Sequence, residues 1–281
     1  MNKKIGAVII SYNPDKEKLF ANIESTLNQV DELLIVDNNS IQTIDWVNDM
    51  FKNITIIKNK KNVGIAGALN QGINYFNLKG YNWVLTLDQD SRIEEKYIKK
   101  AQQYLFDDKV GIICPLVYDL NDPPNYKLSN SSIELDQCIT SGSLTNVNSW
   151  KKVNGFDEQM FIDLVDFDFC YRLKKNSFKI LQLQNCFIFH EVGNIKKIGP
   201  IKVYNHNEFR KYYYIRNWVY LGRKYPEASN LKVTYKILSW MITTLLFEDQ
   251  KWSKMKKSIK GIIDGFKMEV IHEDKKNNNK S

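Results

Sequence analysis

Residues 84–92 read VLTLDQDSR, a short apolar run that ends in two carboxylates separated by one residue. Side chains two positions apart in an extended chain lie on the same side, so Asp88 and Asp90 are expected to point the same way. This ending is typical of a strand that turns into solvent, and also of one that presents two oxygen ligands to a divalent cation. The rest of the chain decides which interpretation is favoured.

Other short apolar segments rich in β-branched residues flank this one, and helical patterns separate most of them. The predicted strands are Ile5–Ile10, Leu33–Val36, Ile54–Ile57, Trp83–Leu87 and Val110–Cys114, and the clearest helical patterns are Lys16–Gln29 and Ala66–Phe76. Strands that alternate with helices form βαβ units. The sequence therefore predicts an α/β fold with a Rossmann-like, mainly parallel central sheet covered by helices.

Polar clusters follow three of these strands. They are Ser11-Tyr12-Asn13, Asp37-Asn38-Asn39-Ser40 and Asp88-Gln89-Asp90. In open α/β sheets, ligands bind outside the carboxyl ends of the strands. One polar strand end is an ordinary turn, whereas three at the same edge predict a binding site.

The charge of the chain is unevenly distributed. The net charge is +8, but residues 1–201 carry 23 Lys and Arg against 24 Asp and Glu, whereas residues 202–281 carry 17 against 8. The basic excess therefore belongs to the C-terminal part and favours an anionic partner there. The hydrophobic share of 43% is that of an ordinary globular protein.

The cysteines and the apolar runs predict a cytoplasmic protein. Cys114, Cys138, Cys170 and Cys186 form neither a CxxC pair nor a regular framework, which favours reduced thiols over disulfides or a zinc site. The apolar run Ile5–Ile10 near the basic N-terminus is too short for a signal peptide and is followed by no small-residue cleavage site, so a first strand is expected there. The apolar stretch Ile237–Phe247 falls well short of the ~20 residues that a membrane span needs.

Seven segments in this order resemble the family 2 glycosyltransferases, which have a GT-A fold, and most closely their bacterial rhamnosyltransferase branch. The segments are VIISYNP (8–14), LLIVDNNS (33–40), NVGIAGALNQGI (62–73), LTLDQDS (85–91), TSGSL (140–144), NGFDEQMFIDLVDFDFCYRL (154–173) and HNEFRKYYYIRNWVYL (206–221). The resemblance covers residues 5 to about 225. It implies an enzyme that moves a sugar from a nucleotide diphosphate donor to an acceptor.

The resemblance implies that Asp90 binds Mg²⁺ or Mn²⁺ directly, and that Asp88 binds the donor ribose or reaches the metal through water. A hard cation of this kind takes carboxylate oxygens and is shared with phosphates. His190 is a candidate for an additional metal ligand, although a histidine at a strand end is more often a hydrogen-bonded structural group. The alternative for the carboxylates is a strand-to-helix turn in which Asp90 or Ser91 caps a helix that includes Glu94–Tyr104.

By the same resemblance, Asp37 accepts a hydrogen bond from the imide N–H of uracil or thymine, and Ser11, Asn13, Asn39 and Ser40 line the nucleotide pocket. The alternative is a common Asn- and Ser-rich turn. Residues 62–67 do not form GxGxxG, so a dinucleotide site is not favoured. Gly64 and Gly67 are expected to permit close backbone packing instead.

Inverting transfer needs a general base that takes the proton of the acceptor hydroxyl. The family commonly places this base in a Glu-Asp-x-Asp pattern, and here the matching residues are Val165-Asp166-Phe167-Asp168. We therefore expect Asp166 to be the base and Asp168 to be structural. Asp163 is left open as a carboxylate that shares the pocket. The alternative for the whole cluster is an acidic helix N-terminus that complements the helix dipole.

The segment 206–221 mixes arginines with tyrosines. Arg210, Tyr213 and Asn217 follow helical spacing and are expected to share a face. The two arginines, Arg210 and Arg216, together with Tyr213, suit a diphosphate, either that of the donor or that of a lipid-linked acceptor, and Asp163 is placed with them. The alternative is an aromatic core helix with solvated arginines.

Lysines are interleaved with apolar residues from Lys232 to Val270. This pattern favours a peripheral contact with the anionic inner face of the cell membrane. The alternative is a helix that packs on the catalytic domain or on a second subunit, so a homodimer is left open. The predicted organisation is a catalytic domain at 1–205 (nucleotide-sugar half 1–120, acceptor half 121–205), a basic and aromatic helical region at 206–273, and a disordered tail at 274–281.

The residues support a metal, a nucleotide and a general base, and the resemblance implies an inverting, metal-dependent transferase that moves a sugar to a lipid-linked glycan in cell-surface polysaccharide synthesis. The sugar that the resemblance implies is rhamnose from dTDP-rhamnose. Another donor, a UDP-hexose, is the first alternative. A processive synthase is disfavoured because the chain has Arg216-Asn217-Trp218 in place of a Gln-x-x-Arg-Trp motif. An alternative of a different class is a non-catalytic protein that binds a glycan or nucleic acid, although we expect no nucleic-acid partner.

Overall fold

The computed structural model describes residues 3–190, 196–198, 201–203, 205–226 and 230–270. The chain divides into two compact units. Unit 1 comprises residues 1–161 and 165–192, and unit 2 comprises residues 162–164 and 193–281. Unit 1 is built on the large sheet, and the described residues of unit 2 are mainly helical.

The first half of unit 1 is a parallel sheet with helical crossovers. Its strands are β1 (Ile5–Ser11), β2 (Glu32–Asp37), β3 (Ile54–Lys58) and β4 (Trp83–Asp88), and its helices are α1 (Lys16–Leu27), α2 (Trp46–Met50) and α3 (Gly64–Leu78). The strands lie in the order β3-β2-β1-β4, and each pairs with its neighbour in parallel. The order reverses at β1, so the carboxyl ends of β1 and its neighbours face a crevice of the kind that binds ligands in such folds.

The sequence patterns explain these elements locally. All seven residues of β1 are buried, as expected of a central parallel strand covered on both faces. Helix α1 begins after Asp15, whose side chain accepts a hydrogen bond from the Lys18 N–H, and it buries Leu19 and Ile23 one turn apart. Apolar burial on both faces of the sheet is the main favourable term in this part of the fold.

The second half of unit 1 completes a nine-stranded sheet. Its elements are β5 (Arg92–Ile93), α4 (Tyr97–Ala101), β6 (Val110–Asp119), β7 (Ser132–Leu135), β8 (Ser143–Asn146), α5 (Val147–Lys152), α6 (Val165–Lys175) and β9 (Lys179–His190). Strand β8 lies between β4 and β6 and is antiparallel to both, while β9 is parallel to β6. The predicted α/β class with a helix-covered sheet is confirmed.

The helix expected over Glu94–Tyr104 is shorter than predicted. Residues Arg92–Ile93 pair with β9 as a short strand, α4 begins only at Tyr97, and Gln102–Tyr104 form a turn of 3₁₀ helix. Neither Asp90 nor Ser91 therefore caps this helix. The residue before α4, Lys96, adopts a left-handed conformation at φ 69°. Strand pairing at Ile93, which is buried, overrides the local helical pattern.

Unit 2 contains a small hairpin and three helices in its described residues. They are β10 (Lys196–Ile198), β11 (Ile201–Val203), α7 (Glu208–Lys224), α8 (Asn230–Phe247) and α9 (Lys251–Lys267). Helix α9 packs closely on α7. The packing is so close that a Cβ added at Gly265 would lie only 2.6 Å from the carbonyl oxygen of Arg216. Helix α8 packs on another side of α7, where Trp240 stacks on Tyr214 with ring centroids 3.6 Å apart.

Two predictions about the chain as a whole can be compared with this structure. The four cysteines are free, as expected. Among the described residues, no helix is both long enough and apolar enough to cross a membrane.

Candidate active site

The polar strand ends of β1, β2 and β4 lie side by side. In the register of the sheet, Ser11 is level with Asp37, and Ile10 is level with Asp88. The three clusters that were expected from the sequence to share an edge are therefore brought together. The Ser11 side chain is buried, and its hydroxyl has no hydrogen-bond partner among the described residues. Its carbonyl oxygen accepts a hydrogen bond from the Asn38 N–H at 2.7 Å.

A hydrogen-bonded turn holds the Asp37 carboxylate at the end of β2. Asp37 is 5% exposed, and its Oδ1 accepts hydrogen bonds from the Ser40 hydroxyl at 2.5 Å and from the Ser40 N–H at 3.2 Å. The Ser40 hydroxyl also accepts from the Asn13 N–H at 2.8 Å, and the Asn13 side-chain oxygen accepts from the Ile41 N–H. These bonds link the loops after β1 and β2 and keep one carboxylate in a fixed orientation.

Two asparagines in these loops adopt left-handed backbone conformations, Asn13 at φ 48° and Asn39 at φ 69°. Both are exposed, and asparagine is among the non-glycine residues that tolerate this region best. The turn chemistry expected for an Asn-rich segment is therefore present. It coexists with the carboxylate arrangement and does not replace it.

Asn38 is a structural hub that sequence reasoning did not single out. Its side-chain nitrogen donates to the Asn62 side chain and to the Gly64 carbonyl oxygen, while its side-chain oxygen accepts from the Val63 N–H at 2.9 Å and from the Asn59 side chain. The end of β2 is thereby tied to the start of α3. In the sequence, Asn38 stands out only as one of several asparagines in two nearby polar segments, DNNS (37–40) and NKKN (59–62). This pattern does not reveal which groups Asn38 bonds.

Close packing at Gly64 agrees with the expectation for this glycine. Gly64 has φ +78°, and a Cβ on it would lie 2.5 Å from the Phe161 carbonyl oxygen. That oxygen accepts a hydrogen bond from the Ile65 N–H at 2.7 Å, at the N-terminus of α3. A side chain at this position would break the contact between the start of α3 and the segment that precedes α6.

The Asp88–Ser91 turn is held from three directions. The Asp88 carbonyl oxygen accepts from the Asn22 side chain at 2.6 Å and from the Ser91 N–H at 3.3 Å, and the Asp88 N–H donates to the Ser141 hydroxyl at 3.0 Å. The Gln89 side-chain oxygen accepts from the Tyr12 N–H at 2.7 Å. These bonds fix the backbone and leave the two aspartates partly exposed.

The donor set at this turn is one that a hard divalent cation accepts. Asp88 and Asp90 supply carboxylate oxygens two positions apart, and such a cation completes its shell with waters and phosphate oxygens. Over the described part of the chain, no group of three or more His, Cys, Asp or Glu side chains converges as a metal site. His190 ends β9, but its side chain lies outside the described residues.

Asn22 and Ser141 are further residues that sequence reasoning did not assign. Asn22 lies on the buried face of α1 between Leu19 and Ile23, so a polar residue at an apolar position was the available signal. Ser141 belongs to the TSGSL segment, which was noted only as a motif. The Ser141 hydroxyl accepts a hydrogen bond from the Asp88 N–H and donates one to the Ser91 hydroxyl. Both residues support the acidic turn through its backbone.

Asp166 lies in the first turn of α6 and lines a small cavity of unit 1. The cavity is also lined by Thr86, Thr140, Phe156 and Cys170. Thr86, two residues before Asp88, donates its hydroxyl to the Thr140 carbonyl oxygen at 2.5 Å. Asp166 Oδ1 accepts the Phe167 N–H at 3.0 Å. The carboxylate expected to be the base therefore borders the strand that carries the acidic turn.

Two thiols adjoin this cavity. The sulfur atoms of Cys138 and Cys170 are 3.9 Å apart. Their contact and their burial raise the pKa of the Cys170 thiol well above its usual value. Contact with Cys114, together with burial, also raises the pKa of the Cys138 thiol, so both thiols are neutral near neutral pH. They act as packing groups next to Asp166.

Asp168 is a structural carboxylate. It is buried, and its Oδ2 accepts from Arg172 Nε at 2.8 Å and from Arg172 Nη2 at 2.6 Å. Arg172 also donates to the Gly155 carbonyl oxygen at 2.6 Å. The pair joins α6 to the turn before it, which matches the role that the sequence indicated for Asp168.

In unit 2, Asp163 is paired with α7. Arg210 Nη2 lies 2.6 Å from Asp163 Oδ1, and the Asp163 side chain is 9% exposed. Asn217 is fully buried, and its side-chain nitrogen donates at 2.8 Å to both the Ile162 and the Asp163 carbonyl oxygens. Arg210 and Asn217 thus share a face of α7, as their spacing predicted.

Arg216 and Tyr213 form the rest of this cluster. The Arg216 guanidinium lies 4.5 Å from the centre of the Tyr213 ring and donates to the Asn217 side-chain oxygen at 2.8 Å and 3.0 Å. Stacking on an aromatic face and bonding to a buried amide hold the guanidinium in one orientation. The four residues expected to bind a diphosphate or acceptor therefore form one network in unit 2.

The backbone before α6 is strained. Phe161, Asp163 and Leu164 all have positive φ, at 62°, 65° and 62°. Non-glycine residues pay a conformational cost in this region, and such residues cluster at functional sites. Here the contacts of Asn217 and Arg210 stabilise the conformation of residues 162–164, which directly precede the helix that carries Asp166.

The polar ends of β1, β2 and β4 and the cavity beside Asp166 form a candidate site at the carboxyl edge of an α/β sheet. The profile of Glycosyl transferase family 2 matches residues 7–181. The chain belongs to this family and is a glycosyltransferase. The non-catalytic alternative is therefore not supported.

Two relatives in sequence match along most of their length. The chain is 30% identical over 287 aligned residues to dTDP-rhamnosyl transferase RfbF of Shigella flexneri, covering 95% of this chain and 97% of that protein. It is 21% identical to the low-salt glycan biosynthesis hexosyltransferase Agl10 of Haloferax volcanii, covering 87% of this chain and 85% of that protein.

Two solved structures show the same fold. GalNAc-T7, solved with UDP, GalNAc and Mn²⁺, superposes with a TM-score of 0.65 at 12% identity over 95% of this chain and 56% of that chain. TarS residues 1–349 from S. aureus superpose with a TM-score of 0.58 at 13% identity over 93% of this chain and 80% of that chain. The predicted GT-A fold is confirmed by these similarities.

Proposed function

We propose that this glycosyltransferase moves rhamnose from dTDP-rhamnose, with inversion, to a lipid-linked glycan during cell-surface polysaccharide synthesis. The observation that carries the choice of donor is the 30% identity to the Shigella flexneri rhamnosyltransferase, which extends over almost the whole of both chains. A UDP-hexose is the alternative donor, and the 21% identity to a hexosyltransferase favours it more weakly.

The nucleotide base is assigned to the edge formed by β1 and β2. The Asp37 carboxylate accepts the imide N–H of thymine, since its Oδ1 is already oriented by Ser40. Ser11, Asn13 and Asn39 surround it as the nucleotide pocket. Because uracil presents the same imide, Asp37 alone does not distinguish dTDP from UDP donors.

The donor diphosphate is assigned to the Asp88–Asp90 turn. Asp90 would hold Mg²⁺ or Mn²⁺ directly, and Asp88 would contact the ribose or reach the metal through water. When bound, the cation supplies charge stabilisation for the departing diphosphate. The bonds from Asn22, Ser91 and Ser141 to the Asp88 backbone keep the turn from moving as charge develops. His190 stays a proposal as a further ligand.

Asp166 is the proposed general base. The acceptor hydroxyl oxygen attacks the anomeric carbon, the bond from that carbon to the diphosphate oxygen breaks, and the hydroxyl proton passes to the Asp166 carboxylate. Removal of this proton by a positioned carboxylate contributes about 10²–10⁴-fold to such a step. Its place at the cavity with Thr86 and Thr140 supports the assignment.

The acceptor is assigned to unit 2. Arg210, Tyr213 and Arg216 are proposed to bind the diphosphate of a lipid-linked saccharide, with Asp163 orienting Arg210 through their ion pair. Guanidinium groups held by aromatic and amide contacts are suited to phosphate oxygens. In this proposal residues 1–205 form the catalytic domain, residues 206–273 meet the acceptor and the inner face of the cell membrane, and residues 274–281 form a polar tail.

Incubation with a panel of nucleotide sugars tests this function. We expect nucleotide diphosphate release with dTDP-rhamnose and a lipid-linked acceptor, and weaker release with UDP-hexoses. Asp37→Ala should raise the Kd for dTDP, measured by calorimetry, because the imide N–H loses its acceptor. Asp108→Ala, a change at an exposed aspartate, is the matched control. Release of nucleotide diphosphate from a UDP-hexose and not from dTDP-rhamnose would show that the UDP-hexose is the donor.

A further inference from the structure

Helices α8 and α9 carry several large apolar side chains that are exposed in the described part of the chain. On α8 these are Tyr235, Leu238, Ile242, Leu245 and Leu246, and on α9 they are Trp252, Ile259, Ile263 and Phe266. Tyr235 is 73% exposed and Trp252 is 79% exposed. Contiguous exposed apolar groups of this size mark interaction surfaces.

The apolar residues of α9 form a stripe on the side away from α7. Trp252, Ile259, Ile263 and Phe266 are spaced by seven, four and three residues, which places them on one face of a helix. The face turned toward α7 is built instead from Ser258, Gly261 and Gly265, together with the buried Lys254. The stripe is therefore not part of the core of unit 2.

Exposed lysines border the α9 stripe. Lys256, Lys260 and Lys267 lie on the same helix next to it, and all three are exposed. The acidic residue of α9 is Asp264, whose carboxylate accepts a hydrogen bond from the Tyr212 hydroxyl at 2.7 Å. The rim of the stripe is accordingly positive, since its carboxylate is engaged with α7.

Helix α8 adds an apolar face with little charge. From Ile237 to Phe247 it contains no charged residue, yet Leu238, Ile242 and Leu246 are exposed. An apolar stripe with a lysine rim suits a surface that offers both hydrocarbon and negative charge. A second copy of this face would bring lysines against lysines, which disfavours self-association.

We propose that the outer faces of α8 and α9 form a docking surface for an anionic phospholipid bilayer. Trp252, Ile259, Ile263 and Phe266 enter the boundary between head groups and acyl chains, and the bordering lysines contact anionic head groups. This inference deepens the proposed function, on which it rests, because a lipid-linked acceptor is met at a membrane. No helix of the described part spans the bilayer, so the contact is peripheral.

The test is co-sedimentation of the full chain with two kinds of vesicle. One contains phosphatidylglycerol and phosphatidylcholine, and the other contains phosphatidylcholine alone. Wild type should sediment with the first and stay in solution with the second. The double variant Ile263→Asp/Phe266→Asp should weaken binding at any salt concentration by about tenfold or more, since it places charge in the boundary region.

Charge reversal at Lys256, Lys260 and Lys267 to Glu should weaken binding to anionic vesicles by about tenfold at low salt and by less at high salt. The control variants change exposed residues of unit 1: Leu78→Asp/Phe106→Asp for the apolar pair and Lys151→Glu/Lys152→Glu/Lys175→Glu for the three lysines. All variants alter exposed side chains, and circular dichroism should show wild-type melting. Controls should bind as wild type does.

Two results would overturn the proposal. One is equal vesicle binding by wild type and the Ile263→Asp/Phe266→Asp variant. The other is a wild-type dimer in sedimentation velocity that this variant makes monomeric, without vesicle binding by either, which would assign the face to a second copy. Vesicle binding needs neither donor nor acceptor, so its failure is distinguishable from failure of the proposed transfer. Transfer to a water-soluble acceptor should be unchanged in the variant.

Discussion

Arg210 holds the carboxylate of Asp163 in an ion pair, with Nη2 and Oδ1 2.6 Å apart. The guanidinium occupies this carboxylate oxygen, so that oxygen is engaged before an acceptor hydroxyl could approach it. Asp166, three residues later, lines a cavity of unit 1 and accepts the Phe167 N–H. This difference in surroundings supports the proposal of Asp166 as the general base, with Asp163 as the ion-pair partner of Arg210.

Replacement of Asp166 by Asn should lower kcat by about 10²–10⁴-fold, because an amide cannot take the proton from the hydroxyl group of the acceptor. Asp163→Asn should leave more activity, since it removes the partner of Arg210 and not the base. Initial rates of nucleotide diphosphate release measure both effects. Equal losses in the two variants would contradict the assignment, and unchanged melting temperatures would show that each variant is folded.

Chelation by EDTA should abolish transfer, and Mg²⁺ or Mn²⁺ should restore it. Asp90→Asn should weaken Mn²⁺ binding in the presence of dTDP, because it removes a direct carboxylate ligand. Electron paramagnetic resonance of bound Mn²⁺ measures this without reference to activity. Asp108→Asn, at an exposed position, serves as the control. Full transfer in EDTA would refute the metal assignment.

Gly265→Ala should lower the free energy of unfolding by about 1–3 kcal/mol. The added Cβ would lie 2.6 Å from the Arg216 carbonyl oxygen and 2.8 Å from Val219 Cβ, so α9 must move away from α7. Chemical denaturation measures the change. Ile263→Ala on the same helix is the control, since Ile263 is exposed and should change stability by no more than about 0.5 kcal/mol.

Acid should destabilise the fold partly through His206. Burial, followed by the nearby charge of Arg210, lowers the pKa of His206 from 6.5 to about 4, while Asp163 and Glu248 oppose the shift and Lys211 adds to it. A depressed pKa means that the unfolded chain binds the proton first, so stability falls as pH drops from about 6.5 toward 4. His206→Gln should flatten the dependence of melting temperature on pH in this window. An unchanged slope would exclude this contribution.

The strand and helix pattern was predictable because the first four strands are short apolar runs separated by clear helices. Parallel strands buried on both faces leave a strong signal in the sequence, as in β1. The helix over Glu94–Tyr104 was the exception. Its first residues follow a short edge pairing of Arg92–Ile93 with β9, and the distant partner strand is not visible in local sequence.

The candidate site was predictable in part for the same reason. Residues at the ends of neighbouring parallel strands converge whatever their side chains, so Ser11, Asp37 and Asp88 were expected at one edge. The residues that hold them were not expected. Asn22, Asn38 and Ser141 act through hydrogen bonds to backbone groups far away in sequence, and the two bonds to Asp88 span 66 and 53 residues.

By itself, the sequence determined the α/β class, the family, the acidic turn and the basic C-terminal part, because periodicity, motif order and net charge are local or additive properties of the chain. Only the tertiary structure decided that Asp163 is paired with Arg210, that Asn217 binds the backbone of residues 162–164, and that the stripes of α8 and α9 are exposed. Each of these depends on which helix faces lie against each other. Burial on one face of a helix and exposure on the other is set by packing, which no single segment encodes.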